Sequence, residues 1–283
     1  MGVMAQIDTI DTIDAAEVNK ALAHTRLGGY VRHLTTVDST NTLALEAARA
    51  GSRFGVWVAD EQTAGRGRGG HTWHSNPGDG LYVSALFTPK LPATDLGLSL
   101  TAGIAAWDAI REISGLSVDI RWPNDLVTRG TAPHRKLGGI LVETAVAPAV
   151  GSRPAMLRYA VIGIGINVSH ASFPDELSGS ATSLKMEGWR EARRQLLLIT
   201  LLDKLDLFVR YSEDGYAGTR NGPDLPVAAE TASTWIRGKR VHIAEQGGYT
   251  GVTAGLDARG YLRVACDDGV LRTVLSGGVR EAE

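Results

Sequence analysis

Ile162-Gly163-Ile164-Gly165-Ile166-Asn167-Val168 alternates isoleucine with glycine. Side chains of a strand point to opposite faces in turn, so the isoleucines share one face while Gly163, Gly165 and Asn167 share the other. One face is left nearly empty. A second segment, Arg135-Lys136-Leu137-Gly138-Gly139-Ile140-Leu141-Val142-Glu143, interrupts a good strand with two glycines and exposes its backbone amides beside a lysine. A glycine inside a strand costs roughly 0.5–1 kcal/mol relative to alanine. Two such strands in one domain therefore predict a cavity for a flat molecule; the alternative is a helix packed tightly on the sheet.

Working outward, strand-like runs recur at residues 31–37, 56–62, 81–87, 118–122, 137–144 and 159–168. Helical patterns occupy residues 15–24, 96–113 and 189–211, and Asp38-Ser39-Thr40-Asn41 is expected to cap a further helix reaching Ala50. Strands joined by short links with few intervening helices favour a mixed or antiparallel sheet with helices packed on one side, an α+β arrangement. Asn221-Gly222-Pro223-Asp224-Leu225-Pro226 breaks the long helix. Beyond it, short β-rich pieces alternate with glycine turns, as in a small barrel. The expected division is an N-terminal segment 1–28, a larger domain 29–232 and a C-terminal domain 233–283. Residues 7–14 repeat Ile-Asp-Thr with little to pack and are expected to lack order.

Directly after the strand 56–62 stands Gly65-Arg66-Gly67-Arg68-Gly69-Gly70-His71-Thr72-Trp73. Glycine lets backbone approach phosphate oxygens, and each guanidinium offers a planar fork of donors that suits them. Such a loop can close over a polyanion, although arginine and glycine near a turn also read as a solvated loop. It is neither a dinucleotide fingerprint nor a P-loop: the turn-rich His74-Ser75-Asn76-Pro77-Gly78-Asp79-Gly80 follows it instead of a helix, and it lacks Gly-Lys-Ser/Thr. Arg121-Trp122-Pro123-Asn124-Asp125 is expected to end a strand in a proline turn with an amide and a carboxylate at its mouth.

The chain has 283 residues, with 29 Lys and Arg against 31 Asp and Glu. That balance argues against the strong phosphate attraction of a nucleic-acid binder. No apolar run of membrane-spanning length and no secretory signal pattern is present, so a cytoplasmic location is expected, with no membrane partner. The single cysteine, Cys266, falls in a strand-like run and reads as structural.

Taken together, Ser39-Thr40-Asn41, Gln62, the segment 65–70 with Trp73, Trp122-Pro123-Asn124-Asp125, Lys136-Leu137-Gly138-Gly139-Ile140-Leu141 and Gly163-Ile164-Gly165-Ile166-Asn167 resemble the biotin protein ligases in order and approximate spacing, over about residues 30–283. The resemblance implies a class II synthetase-like, biotin–lipoyl ligase catalytic fold with an SH3-like C-terminal barrel. It implies ATP, biotin and Mg²⁺ as substrates and cofactor, and synthesis of biotinyl-5′-adenylate. The partner implied is a biotin carboxyl carrier domain of an acetyl-CoA, acyl-CoA or pyruvate carboxylase, and the protein is expected to be a monomer or weak homodimer. By position, Ser39, Thr40, Asn41 and Gln62 would bond the ureido ring, while Gly138, Gly139, Gly163 and Gly165 would leave room for the bicycle. Arg66, Gly67 and Arg68 would fold over biotin and the adenylate, joined on the adenylate side by Gly65. Lys136 would meet both the biotin carboxylate and the α-phosphate, making Lys136, Arg66 and Arg68 the catalytic group. Trp73 and Asn167 would contact adenine, with Asn124 near the phosphates and Asp125 as a Mg²⁺ ligand. About thirty residues precede the first strand, fewer than the winged helix-turn-helix of bifunctional members, so enzyme function without operator binding is expected. A lipoate or octanoate ligase or transferase, and a non-catalytic biotin-responsive module, are the alternatives.

Overall fold

The computed structural model of the chain describes residues 11–93, 97–130, 133–149, 151, 154–191, 193–219, 224–257, 259–275 and 278–282. Its centre is a seven-stranded sheet in the order β1-β2-β3-β7-β6-β5-β4. These strands are β1 (Val31–Val37), β2 (Gly55–Gln62), β3 (Gly80–Phe87), β4 (Val118–Arg121), β5 (Asp125–Thr128), β6 (Lys136–Val146) and β7 (Leu157–Asn167). Only β1 and β2 run parallel; every other neighbouring pair is antiparallel. The mixed α+β sheet expected from the strand spacing is therefore present.

The apolar face of this sheet is covered by α1 (Ala15–Ala21), α3 (Gly97–Ser114) and α5 (Arg194–Ala217), whose buried side chains share one core with Val83, Ile162, Ile164 and Ile166; the one-turn α4 (Asp175–Ser178) lies in the β7–α5 connection. The isoleucine face of β7 thus points into the helix layer, as its alternation requires. One helix departs from the one-sided expectation. Helix α2 (Thr40–Arg49) lies on the opposite face, where Ala44, Leu45 and Ala48 pack on Trp57, Leu86, Tyr159 and Val161. That is also the face onto which Gly163 and Gly165 open.

Several boundaries moved for physical reasons. The proline turn expected over 121–125 is confined to residues 122–124, and Asp125 pairs with Arg121 across a hairpin as the first residue of β5, a strand the sequence did not signal. Helix α5 begins at Arg194, five residues later than its periodicity suggests, and runs six residues further. Its start is held by Arg194, which donates to Asp60 at 2.8 Å. Its polar last turns are carried by tertiary contacts, Ser212 with Thr101 and Glu213 with Arg26. Gly218 closes the helix in the left-handed conformation, φ 75°. The expectation that residues 7–14 pack little fails for 11–14: Ile13 is buried, Asp14 caps α1, and Asp11 accepts from Arg194. Residues 7–10 lie outside the described residues.

Helix α6 (Leu225–Ala232) leads into a five-stranded antiparallel sheet, β11-β10-β9-β8-β12, formed by β8 (Arg237–Ile243), β9 (Tyr249–Leu256), β10 (Leu262–Cys266), β11 (Leu271–Val274) and β12 (Val279–Glu281). Val241, Ile243, Leu262, Val264, Cys266, Val274 and Val279 close on one small core, to which Trp122 and Trp235 are added. Trp122 belongs to the β4–β5 turn of the large sheet, so this turn is buried against the C-terminal unit, its indole nitrogen donating to Gly260 O at 3.1 Å.

Candidate active site

A cavity of about 470 Å³, its open mouth included, lies over the glycine face of β6 and β7. Its floor follows from cross-strand pairing. Ser84 stands opposite Gly163 and Tyr82 opposite Gly165, while Gly139 faces Gly165 from β6. Bulky neighbours beside glycines leave the depression. A side chain at Gly165 would run into the Trp73 indole at 2.6–2.8 Å, and one at Gly163 into the Asn41 amide at 2.2 Å.

One wall is a hydrogen-bond network. Thr40 N and Thr40 Oγ1 both donate to Gln62 Oε1, at 2.9 and 3.1 Å. Gln62 therefore supplies the helix cap that the sequence assigned to residues 38–41; Ser39 makes no capping bond of its own. Ser84 Oγ lies 2.7 Å from Thr40 Oγ1 and 2.5 Å from Asn41 Oδ1, and Gln62 Nε2 donates to Ser75 Oγ at 3.2 Å. Ser39, Thr40, Asn41 and Gln62 all line the cavity.

The arginine loop folds back as a small hairpin. Gly67 N donates to His71 O and Trp73 N to Gly65 O, with Gly69 and Gly70 at φ 64° and 79° in the turn. The turn needs both glycines, because left-handed backbone disfavours other residues. Arg66 reaches β6, where its guanidinium donates to Glu143 Oε1 at 3.2 Å and Oε2 at 2.8 Å. Arg68 donates to Asn124 Oδ1 at 2.8 Å, and Asn124 is itself held by a bond to Ile140 O at 3.1 Å. Trp73 lies on the glycine floor with Lys136 Nζ 5.5 Å from its ring centroid. The flat group that rests on the glycines is this indole.

Lys136 is not the lone ammonium its sequence context suggests. Its Nζ is 2.7 Å from Asp125 Oδ1, and Arg121 donates to Asp125 Oδ2 at 2.6 Å. Burial opposes the charge on Asp125, but Lys136 and Arg121 together outweigh it and hold this carboxyl below the usual carboxylate range.

The structure brings together Ser39, Thr40, Asn41, Gln62, Arg66, Gly67, Arg68, Trp73, Asn124, Lys136, Gly139, Gly163 and Gly165 along one cavity. Four expected residues do not line it. Gly138 faces the other way, toward Leu126 and Ile166 in the core, because adjacent strand residues cannot share a face. Gly65 is needed for its close approach to Trp73 O, 2.7 Å from where a Cβ would sit. Asn167 is buried and spends its amide on Lys136 O and Thr182 O, at 3.4 and 3.0 Å. Asp125 has each oxygen taken by a cation, and among the described residues no cluster of three His, Cys, Asp or Glu could hold a metal. These described donors form no all-protein Mg²⁺ cage, and Asp125 is engaged in ion pairs with Lys136 and Arg121. Sequence reasoning missed Ser84, Glu143 and Tyr82. The hydroxyl of Ser84 interrupts the otherwise buried apolar run of β3, and Glu143 follows Gly139 and Leu141 at strand period, so both left a signal.

The chain is similar to known proteins along most of its length. Residues 34–167 match the Biotin/lipoate A/B protein ligase family, and residues 237–279 match the Biotin protein ligase C terminal domain. The chain is 30% identical over 249 residues to the biotin--[acetyl-CoA-carboxylase] ligase of Mycobacterium tuberculosis, covering 85% of this chain and 84% of that protein. It is 36% identical over 176 residues to the bifunctional ligase/repressor BirA of Bacillus subtilis, and that match spans 61% of this chain but about half, 51%, of the relative. Among solved structures, the biotin protein ligase from Aquifex aeolicus in complex with biotin and ATP superposes with a TM-score of 0.72 at 27% identity, covering 90% of this chain and all of that one. With both halves of its fold matched and a relative aligned over most of its length, the chain belongs to the biotin protein ligase family.

Proposed function

We propose that this protein activates biotin with ATP to biotinyl-5′-adenylate and then transfers biotin to a lysine of a carboxyl carrier domain. The observation that carries the reading is that three cations, Lys136, Arg66 and Arg68, line one glycine-floored slot together with the polar residues Ser39, Thr40, Asn41 and Gln62. A flat, uncharged ring with polar edges suits the polar network. A carboxylate and a phosphate suit the cations.

The chemistry needs no covalent enzyme intermediate. A biotin carboxylate oxygen attacks the α-phosphorus of ATP; the bond to the β-phosphate oxygen breaks and pyrophosphate leaves. Negative charge gathers around phosphorus, and cations fixed beforehand stabilise it. Lys136 is fixed by Asp125, Arg66 by Glu143 and Arg68 by Asn124. In the second step the neutral carrier amine attacks the acyl carbon, AMP departs, and the amine loses a proton. Cys266, the chain's one cysteine, is buried in the C-terminal core and takes no part. A Mg²⁺ ion would arrive with the nucleotide and would neutralise phosphate charge.

The carrier partner proposed is the biotin carboxyl carrier domain of an acetyl-CoA or acyl-CoA carboxylase, with that of a pyruvate carboxylase as a second candidate. No described helix is long and apolar enough to cross a membrane. The test is ATP–pyrophosphate exchange with biotin, lipoate or octanoate. Exchange with biotin alone is expected. Exchange with lipoate or octanoate in its place would overturn the substrate, and binding of biotin without exchange would make the chain a binding module.

A further inference from the structure

We propose that Glu143 is a positioning residue for the ring end of the slot, acting by fixing which way the Asn41 amide faces; the proposal rests on the biotin reading above. Glu143 follows Gly139 by four residues on β6, so it shares the cavity face. Its Oε2 accepts from Asn41 Nδ2 at 2.8 Å and from Arg66 Nη2 at 2.8 Å, and its Oε1 from Arg66 Nη1 at 3.2 Å.

The two ends of an asparagine amide are nearly the same in shape and opposite in hydrogen-bonding sense, so a partner must decide between them. An ionised carboxylate only accepts, and it therefore holds the NH₂ end of Asn41. The second N–H of that end points at Leu141 O, 3.5 Å away. At the other end, Oδ1 lies 2.5 Å from Ser84 Oγ, which is fully buried, and rests against Gly163. With both N–H groups directed into the protein, what Asn41 offers the cavity is the remaining lone pair of Oδ1. The wall at Asn41 is thus an acceptor, suited to a ligand N–H, and it is Glu143 that makes it one. A glutamine at 143 would present either a donor or an acceptor and would let the Asn41 amide turn over.

The experiment is a double-mutant cycle read by calorimetric biotin binding to the full chain, using wild type, Glu143→Gln, Asn41→Ala and the double variant, with thermal melts as a folding control. Glu143→Gln is expected to weaken biotin binding by about tenfold or more, the loss of a charge-assisted contact. In the Asn41→Ala background the same change is expected to cost less than about twofold, because contacting pairs are non-additive. Glu143→Asp, which keeps an acceptor-only group, should recover part of the affinity, and it replaces Glu143→Gln in the cycle should that variant not fold. An undiminished effect in the Asn41→Ala background would mean that Glu143 acts through Arg66 or the fold, and would overturn the proposal while leaving the biotin reading intact. No biotin binding by the wild type would overturn both.

Discussion

Lys136 Nζ sits 2.7 Å from Asp125 Oδ1, an ion pair joining the first residue of β6 to the first residue of β5. The pair holds the ammonium above the glycine floor, as preorganised charge stabilisation requires. Replacing Lys136 by alanine should lower the biotin-dependent pyrophosphate exchange rate by about 10²–10³, the loss of one preorganised donor, with the fold retained. Single-turnover adenylate formation at the wild-type rate would remove Lys136 from the chemistry.

Arg68 is held by one bond to Asn124 Oδ1, 2.8 Å long, from a loop segment with glycine on both sides. Arg68→Gly should free this part of the loop and weaken adenylate retention by roughly 1.5–3 kcal/mol, the worth of a hydrogen bond from a charged group. The adenylate is an acylating agent, so its escape should biotinylate lysines of an added bystander protein. The adenylate off-rate and a biotin blot measure both effects, and an off-rate equal to wild type would show that Arg68 does not retain the ligand. Arg66, tethered twice to Glu143, is expected to keep the rest of the hairpin in place.

Gly163→Ala would place a methyl group 2.2 Å from Asn41 Oδ1. That amide is held by Ser84 and Glu143 and cannot move without breaking one of those bonds. Biotin affinity should drop at least about tenfold, some 1.4 kcal/mol, while the apolar face of β7 keeps the sheet folded. Biotin titration calorimetry beside a circular-dichroism melt checks this, and normal affinity would place the ring elsewhere.

His170 is buried, stacked on Phe173 with ring centroids 4.9 Å apart. Burial lowers its pKa and the nearby His74 adds to this, while Asp79 opposes. The unfolded chain, titrating near pH 6.5, then takes up the proton before the folded one does. The stability is therefore present above about pH 6.5 and is lost as pH falls from there toward the folded pKa, at no more than about 1.4 kcal/mol per pH unit for one proton. Urea unfolding at pH 7.5 and 5.5 should show this loss in the wild type and a smaller one in His170→Phe, which keeps the stack. Equal pH slopes in the two proteins would assign the acid lability to other groups.

Local chemistry was legible wherever one residue type has one use. The alternating glycines of β7, the Gly139 gap in β6, the arginine loop and the apolar strand runs each predict their own geometry, and the cavity forms where they meet. Legibility failed where a residue's role depends on its face or its partner. Gly138 and Gly139 read alike in the chain, yet the pleat sends one to the core and one to the cavity. Asn167 continues the glycine face on paper, but the segment around Thr182 claims its amide.

The sequence by itself determined the mixed α+β sheet, the β-rich C-terminal unit, the glycine floor of the slot and its arginine loop, because strand period, glycine and arginine carry their physical consequences locally; Ser39, Thr40, Asn41 and Gln62 were named by the family resemblance. Only the tertiary structure decided that α2 crosses to the cavity face, that Gln62 caps it, that Asp125 pairs with Lys136 and that Glu143 accepts from Asn41. Each of these is a contact between residues 22, 11 or 102 positions apart or a choice between two faces of one sheet. Such pairings arise when the core closes and brings distant polar groups within hydrogen-bond reach, and no local pattern encodes them.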